Sequence, residues 1–576
     1  MKTLTSNKAF WLLLVICVVT ILPFLGLPEY HTKGEPRESI VSYSMLESDN
    51  WILPRNNGGE IPYKPPFFHW TIAAVSTLNG GQVTEMTSRL PSAIALISMT
   101  LFGFLFFAKR KGTEVALITA FITLTNFELH RAGANCRVDM VLTALTVCAL
   151  YCFYRWYEKG LKGIPWLAIL LMSLGTLTKG PVGTIIPCLV TGVFLLLRGV
   201  NFFRAFLLLS AWAILSLILP FCWYIAAYQQ GGEEFLALVM EENFGRMTNT
   251  MSYDSCVNPW HYNFVTLFAG YVPWTLLALL SLFSLTYHKF SIQPAAWWKR
   301  FTAWIKNMDP VDLFALTSIV ATFIFYCIPQ SKRSVYLMPI YPFIAYFLAK
   351  YLFYLVKKRS KVIKVYGSIL AVLSLLLFAC FIAVKCGLIP ETIFQGRHAQ
   401  NNINFLHAIQ NINGIGSFIL IAIPTLLGIC WWFYQRKYTL SNRFLYAIVA
   451  LTMGMYIALD GAYQPPILNS KSVKSVAAEI DRVVPASAGT LYEFIEAGVR
   501  SIGDPVHYFE INFYLGNRIG NFYKDRPSEG FLLIGMQDAE RNLPEFEKEG
   551  YQFERIYQSP KPVLRQTAEI YKFIKK

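Results

Sequence analysis

The chain has 576 residues, of which 55% are hydrophobic and only 15% charged, and its formal net charge is +16. Soluble domains carry roughly 25% charged residues, so this composition excludes an ordinary soluble enzyme and indicates a membrane protein with many spans. In a soluble domain such a basic charge would indicate nucleic-acid binding. Here the Lys and Arg residues cluster in short loops between apolar runs, so the charge reflects membrane topology.

In chain order, about thirteen apolar segments are predicted to cross the membrane, where a spanning helix takes roughly 20 residues and shorter runs are tolerated. They are Phe10–Leu27, Pro91–Ala108, Thr113–Leu129, Met140–Tyr157, Ile164–Leu177, Val182–Leu197, Ala205–Ala227, Tyr262–Leu285, Leu313–Ile328, Val335–Leu355, Val365–Ala383, Ile415–Phe433 and Phe444–Leu459.

A fourteenth apolar stretch, Phe67–Gly80, is not predicted to span. Cytoplasmic loops carry an excess of Lys and Arg. If the N-terminus is cytoplasmic, all the basic loops lie on the cytoplasmic side only when Phe67–Gly80 stays on the outer surface as an amphipathic or re-entrant segment. Those loops are residues 109–111, 155–163, 198–204, 297–306, 357–361 and 435–443.

The C-terminal part, residues 463–576, is polar and long enough to fold as a domain of its own. Helical periodicity covers Val473–Val484, and three short runs read as strands: Thr490–Phe494, Gly530–Met536 and Tyr551–Tyr557. We therefore expect a transmembrane domain over residues 1–462, whose first outer loop is 28–90, and a small extracytoplasmic α/β domain over 463–576.

This topology gathers unusual charged and polar residues in the outer loops. A single Lys at a helix end usually extends its ammonium to the interface, and His261 in "NPWHYN" is more often an interfacial polar residue than a metal ligand. Basic residues in successive outer loops are harder to dismiss, because charges at membrane depth are costly and mark functional sites. They favour an anionic ligand such as a lipid phosphate, with the nearby acids as a base or metal ligands.

The ordered motifs "GEPRE…ML", "YKPPFFHW", "SRLPSAI", "R…VDM", "TKGPVG", "PW…VPWT" and "SKRSVYLMPIYP" carry a family resemblance. Over roughly residues 10–350 the chain resembles the membrane glycosyltransferases of the aminoarabinose transferase (ArnT-like) and protein O-mannosyltransferase superfamily. The aminoarabinose transferase branch is the nearer match. The resemblance implies an all-α polytopic protein with the GT-C fold and outer juxtamembrane helices, in agreement with the interpretation of Phe67–Gly80.

The resemblance also implies an inverting glycosyltransferase. Its donor would be a polyprenyl-phosphate sugar of the undecaprenyl type, and its acceptor lipid A or a related lipid at the outer face of the bacterial inner membrane. Transfer to protein hydroxyls is the alternative within the superfamily. An anionic-lipid transporter or flippase is the alternative outside it, although no inverted repeat is evident. The expected partners are membrane lipids and no nucleic acid.

Residue by residue, the family's Asp-Glu-x-Arg motif reads Gly34, Glu35, Pro36 and Arg37 here, so the usual Asp is missing. The resemblance implies Glu35 or Asp139 as the base. It implies that the donor phosphate is bound by Lys64, Lys179, Arg333 and Tyr336. Further candidates are Arg37, Glu38, Arg137, Glu241 and His261.

No cofactor is certain from the sequence, and a divalent metal is possible. Some relatives carry a His-rich motif where this chain has Glu241, Glu242, Asn243 and Phe244, so a metal ligand at that motif would have to be Glu241.

Overall fold

The computed structural model describes residues 5–62, 64–245, 257–285, 294–438, 442–495 and 507–576. The chain divides into two compact units, each described here by itself. Unit 1 comprises Met1–Leu27, Arg89–Cys222 and Asn258–Ile467, and unit 2 comprises Pro28–Ser88, Trp223–Val257 and Leu468–Lys576. The predicted split into residues 1–462 and 463–576 concerns independent folding and stays a prediction.

The segments that make up unit 1 are helical. The α-helices that lie wholly or partly in these segments are Ser6–Ile21, Glu85–Lys111, Thr113–Thr125, Phe127–Gly133, Val138–Glu158, Trp166–Lys179, Val182–Leu197, Phe202–Met240, Tyr262–Gly270, Trp274–Leu282, Pro294–Asn307, Pro310–Cys327, Tyr341–Lys358, Ser360–Lys385, Ala399–Gln410, Ile415–Lys437, Arg443–Ala458 and Gln464–Asn469. Phe202–Met240 continues into unit 2 after Cys222 and is broken at Gly232, whose φ is +55°. Short 3-10 turns cover Leu22–Phe24, Ser334–Ile340 and Glu391–Ile393, and a π-helical turn covers Leu459–Tyr463.

Within the described part of the chain, nine helical stretches are long and apolar enough to cross a membrane, or ten if the bent pair Tyr262–Gly270 and Trp274–Leu282 forms one span. Three further expected spans, Thr113–Leu129, Ile164–Leu177 and Val182–Leu197, correspond to the shorter apolar helices Thr113–Thr125, Trp166–Lys179 and Val182–Leu197, which account for the difference between ten and about thirteen. The polytopic helical class is confirmed, whereas the number of spans stays a prediction.

A tight helix packing positions the polar groups of unit 1. Val138–Glu158, Trp166–Lys179 and Val182–Leu197 pack against one another, and the first of them also contacts the turn Ser334–Ile340. Gly183 lies so close to the preceding helix that an added Cβ would sit 2.3 Å from the carbonyl carbon of Gly175. Glycine at position 183 therefore lets the two backbones meet beside the loop that joins them.

In unit 2, two helices from the first loop pack together. They are Gly34–Ser48 and Phe67–Leu78, and their contact buries Val41, Met45 and Ala73. The Ser42 hydroxyl donates to the main-chain carbonyl of His69 over 3.1 Å. The segment predicted to stay on the membrane surface is thus a 12-residue helix fastened to its neighbour in the same loop.

The C-terminal part of unit 2 is an α/β layer. Its strands are β1 (Leu491–Glu493), β2 (Ile519–Asn521), β3 (Glu529–Gly535), β4 (Tyr551–Val563) and β5 (Gln566–Lys575), in the order β2-β1-β3-β5-β4. The first three strands are parallel, and β5 runs antiparallel to both β3 and β4. Its helices are Lys474–Val483, Phe509–Tyr514, Phe522–Asp525 and Met536–Lys548.

Successive residues of β3 face opposite sides of the sheet, as the pleat requires. Leu533 packs with Ile480 of the first helix, whereas Leu532 and Ile534 pack with Phe546 of the last. Strands at all three predicted runs and the helix within Val473–Val484 are confirmed.

A buried histidine ties the first loop of unit 2 to the sheet. His507 hydrogen-bonds through Nδ1 to Glu493 and through Nε2 to Glu60 over 2.9 Å, and the Tyr508 amide donates to the second oxygen of Glu493. Burial alone would lower the pKa of His507, but the two carboxylates raise it to about 10. His507 is therefore a cation at neutral pH, held by two anions.

Candidate functional site

Two groups of charged side chains stand out, one in each unit. In unit 1, Lys179 forms an ion pair with Asp139. Asp139 lies in the first turn of Val138–Glu158, and Lys179 is the last residue of Trp166–Lys179. These positions suit the charges, because a helix N-terminus favours an anion and a C-terminus favours a cation. The helix stops there because Gly180 adopts φ = +84° and is followed by Pro181.

An aromatic ring completes this pair. The Lys179 ammonium lies 4.3 Å from the centroid of the Tyr336 ring, within range of a cation–π interaction. Tyr336 belongs to the turn Ser334–Ile340 and stacks on Tyr326 at a centroid distance of 5.5 Å. The side chains of Lys179 and Asp139 keep 20% and 17% of their surface exposed, so the ammonium is held on a polar and an aromatic face yet remains reachable.

The same turn is held by a carboxylate from another helix. The Ser334 hydroxyl donates a hydrogen bond to the Glu128 carboxylate over 3.0 Å, and the Arg131 guanidinium donates another over 2.7 Å. Only 3% of the Glu128 surface is exposed. Just before the turn, the buried Lys332 ammonium donates to the carbonyl of Asn258. Arg333, which opens the turn in extended conformation, is exposed.

The group in unit 2 is centred on Glu38. The Lys64 ammonium lies 2.5 Å and the Arg37 guanidinium 2.9 Å from its Oε1. His69 Nε2 lies 3.0 Å from its Oε2. We call these four residues the Glu38 cluster. Burial alone would raise the pKa of Glu38, but Lys64, Arg37 and His69 together hold it well below its usual range. Glu38 is therefore a permanent anion near neutral pH.

The remaining predicted residues lie elsewhere. Glu35 is buried in the first turn of Gly34–Ser48, and Arg137 directly precedes Val138–Glu158, where its backbone exchanges hydrogen bonds with the Ser92 hydroxyl. Glu241 begins the π-helical turn Glu241–Gly245, next to residues 246–256 outside the described chain. His261 is exposed at the start of Tyr262–Gly270, with its ring 5.7 Å from that of Trp260.

The described residues offer no metal centre. Across those ranges, no three side chains from His, Cys, Asp or Glu gather closely enough to hold an ion.

The structure adds two residues that sequence reasoning did not select. His69 stood inside the quoted motif "YKPPFFHW", but nothing in the pattern marked it as a partner of Glu38. Glu128 was hidden within the predicted span Thr113–Leu129. A lone carboxylate in an apolar run was the signal that could have found it, since such charges are rare without a function or a partner.

Comparisons with known proteins agree with these observations. Residues 63–224 match the family described as dolichyl-phosphate-mannose-protein mannosyltransferase. The chain is 98% covered by a structure of ArnT from Cupriavidus metallidurans bound to undecaprenyl phosphate, with a TM-score of 0.68, 16% identity and 97% of that chain covered. The resemblance to the GT-C membrane glycosyltransferases is confirmed. The GT-C fold thus extends over nearly the whole chain, beyond the residues in which the sequence motifs are found.

Two relatives are similar to this chain in sequence. One from Aquifex aeolicus, itself uncharacterised, is 26% identical over 396 residues, which are 66% of this chain and 72% of the relative. The other, the undecaprenyl phosphate-α-4-amino-4-deoxy-L-arabinose arabinosyl transferase of Shewanella sediminis, is 23% identical over 394 residues, 67% of each chain. The name of the second agrees with the enzyme class expected from the sequence.

Proposed function

We propose that this protein transfers a sugar from a polyprenyl-phosphate donor to a lipid acceptor, lipid A or a related lipid. The observation that carries the proposal is the Lys179 ammonium, held between the Asp139 carboxylate and the Tyr336 ring where apolar helices end. A phosphate on a lipid chain needs such a cation at the membrane boundary. The ion pair holds the Lys179 ammonium in place until the phosphate arrives.

The proposed reaction is a displacement at the anomeric carbon. An oxygen of the acceptor forms a bond to that carbon, the bond to the phosphate oxygen breaks, and polyprenyl phosphate leaves with the electron pair. Lys179 and Arg333 stabilise the negative charge that develops on the leaving phosphate, which is usually the largest contribution to catalysis. The family resemblance assigns Lys64 a role in binding the donor phosphate.

The fate of the acceptor's proton depends on the acceptor. If a hydroxyl attacks, its proton passes to Asp139 or Glu35. If a phosphate anion attacks, no proton needs to be removed, and the absence of the usual Asp at Gly34 costs the reaction nothing. The chain's Gly34 therefore favours a phosphate group as the acceptor.

The finer assignments follow the curated relatives. Several of them carry the name of an undecaprenyl phosphate-aminoarabinose transferase, so a pentosyl group is the first sugar to test. The six basic loops support an active site and residues 463–576 on the periplasmic side of the inner membrane. Labelling of single cysteines should find Lys109 cytoplasmic and Phe67 periplasmic, and the reverse result would overturn this orientation.

Purified protein in detergent, supplied with undecaprenyl-phosphate aminoarabinose and lipid A, tests the proposal. Release of free undecaprenyl phosphate together with a mass increase of lipid A by one aminoarabinose is the expected result. Movement of intact donor across a vesicle membrane without release of undecaprenyl phosphate would instead show a transporter.

Protein acceptors are the second candidate, because the matching family is described as a protein mannosyltransferase. The same assay with polyprenyl-phosphate mannose and a Ser/Thr-rich peptide separates the two. Glycosylation of the peptide with no change in lipid A would replace the lipid acceptor by a protein one.

A further inference from the structure

The Glu38 cluster holds a carboxylate one helical turn after Gly34, the position at which the Asp of the family motif is missing. Gly34 and Glu38 are four residues apart on the helix Gly34–Ser48, so they lie on one face, one above the other. Side chains of a helix lean toward its N-terminus, and a glutamate is long enough to reach over the preceding turn. The carboxylate of Glu38 therefore extends toward the place that a side chain at position 34 would occupy.

All the contacts of this carboxylate fit a fixed anion. Oε1 accepts from Lys64 and Arg37, while Oε2 accepts from His69, and only 4% of the Glu38 surface is exposed. A buried carboxylate needs cations and hydrogen bonds to remain ionised, and these three donors supply both. With this surplus of positive charge, Glu38 is a poor proton acceptor and a strong anchor for Lys64.

Both the ring and the main chain of His69 form hydrogen bonds to the helix Gly34–Ser48. A carboxylate can only accept, so Nε2 of His69 carries the hydrogen that is donated to Glu38. Its main-chain carbonyl accepts from Ser42 on the same helix as Glu38, and 1% of the residue is exposed. Nδ1 is buried and has no hydrogen-bond partner among the described residues. Among the described residues, Glu38 is therefore the hydrogen-bond partner of the His69 ring.

We propose that Glu38 supplies the carboxylate that Gly34 lacks, and that His69 is a positioning residue that holds Glu38 against Lys64. This inference rests on the proposed function, because the role of Lys64 is to bind the donor phosphate. Glu38 and His69 act through Lys64 and touch no reacting atom. They set where the ammonium stands when the donor phosphate binds.

The first test separates the contribution of the His69–Glu38 hydrogen bond from that of the aromatic ring at position 69. His69→Phe keeps the ring and removes the donor, whereas His69→Gln keeps a donor of similar reach. We expect His69→Phe to raise the KM for undecaprenyl-phosphate sugar roughly tenfold, with kcat nearly unchanged, because a hydrogen bond to a charged group is lost. We expect His69→Gln to recover most of this loss, and the acidic limb of the kcat/KM profile to move to higher pH only in His69→Phe.

The matched control is His407→Phe, since His407 forms an exposed 2.7 Å pair with Glu391 in unit 1. It should leave KM and the pH profile unchanged. A His69→Phe protein that folds with the thermal midpoint of the wild type and keeps its KM and pH profile would overturn the positioning role. So would a loss confined to kcat in both His69 variants.

The second test moves the carboxylate. Glu38→Gln should weaken donor use as His69→Phe does, and Gly34→Asp in the Glu38→Gln background should restore at least part of it. Gly34→Asn in the same background is the uncharged control and should restore nothing. Equal behaviour of the Asp and Asn double variants would overturn the claim that position 38 replaces position 34.

A donor-free measurement keeps this inference distinguishable from the proposed function. Acetylation of Lys64 by an amine-reactive ester, followed by mass spectrometry, should be faster in Glu38→Gln and His69→Phe than in the wild type. If this difference is found but no variant or wild-type protein releases undecaprenyl phosphate, the proposed function fails while the positioning of Lys64 stands. Equal labelling rates would overturn the positioning itself.

Discussion

The ionic groups of the two units differ in how fully they are enclosed. In unit 2, Glu38 receives three donors and His507 receives two carboxylates, and both are buried. In unit 1, Lys179 pairs with Asp139 over the face of Tyr336, and about a fifth of each charged side chain is exposed. Glu38 and His507, each surrounded by buried partners, serve as anchors, because any exchange would leave a buried charge unpaired. Lys179 and Lys64, whose side chains are 20% and 16% exposed, can instead be reached by a phosphate.

The largest expected effect is on the His507 anchor. The folded pKa of His507 is about 10 and its ordinary value is 6.5. A raised pKa stabilises the fold fully below about pH 6.5, and this stabilisation is lost as the pH rises toward 10. His507→Gln should therefore lower the free energy of unfolding at pH 6 by roughly 3–5 kcal/mol and flatten its decline between pH 6.5 and 10.

Thermal denaturation of the full chain over this pH range measures both effects. Because His507 stabilises the fold and does not bind donor, the fraction of His507→Gln protein that is folded should keep the donor KM of the wild type. A changed donor KM with unchanged stability would reverse the assignment of His507 as an anchor.

The next largest effect is expected at the ion pair of Lys179 and Asp139. Lys179→Ala should lower kcat/KM for donor by roughly 10- to 100-fold, because a charge-assisted contact of about 1.5–3 kcal/mol is removed. Lys179→Arg should recover part of the activity, since the charge remains but its geometry differs. Donor turnover at several donor concentrations measures this.

Unit 1 contains a matched control for Lys179. Lys350 lies 2.6 Å from Asp312 and 5.4 Å from the Tyr346 ring, so the same three residue types meet there. Lys350→Ala should leave donor use unchanged. Equal losses in the two variants would mean that the effect of Lys179 is a general one on the fold.

A backbone change tests whether helix packing sets the position of Lys179. Gly183→Ala should cost about 1–3 kcal/mol of stability, because the new methyl group collides with the backbone of Gly175. It should also raise the donor KM, since Lys179 ends the displaced helix. Gly192→Ala on the same helix is the control, as its methyl group would meet only the side chain of Leu209 at 3.3 Å. A stable Gly183→Ala protein would contradict the close packing.

The smallest expected effect is on the aromatic face. Tyr336→Leu should weaken donor use by about 0.5–2 kcal/mol, because the cation–π contact with Lys179 is lost. Tyr336→Phe keeps the ring and should stay within about threefold of the wild type. Donor titrations of both variants measure this. If both variants are equally impaired, the tyrosine hydroxyl and not the ring is the important group, and if neither is impaired, the cation–π contact contributes nothing to donor use.

Much of the fold was predictable because hydropathy and periodicity are local properties of the chain. They predicted the helical segments, among them Lys474–Val483, and three of the five strands of the C-terminal sheet, among them Glu529–Gly535. Of the three short apolar helices, only Thr113–Thr125 ends before its predicted end, because the last predicted residues belong to the next helix, Phe127–Gly133.

The partners within the candidate site were not predictable. Lys64 and Glu38 are 26 residues apart, and Lys179 and Asp139 are 40 apart. The sequence shows that such charges are unusual in an apolar chain, but their pairing depends on how helices pack. For the same reason Glu38, four residues from Gly34, was distinguished from Glu35 only by its contacts.

Mass spectrometry of lipid A and of envelope proteins, from cells with and without the gene, tests the central claim most directly. Cells that carry the wild-type gene should contain lipid A heavier by one sugar, and this species should be absent without the gene and strongly reduced with the Lys179→Ala variant. Lipid A of equal mass in all three strains, alongside a sugar on envelope proteins that depends on the gene, would contradict the lipid acceptor.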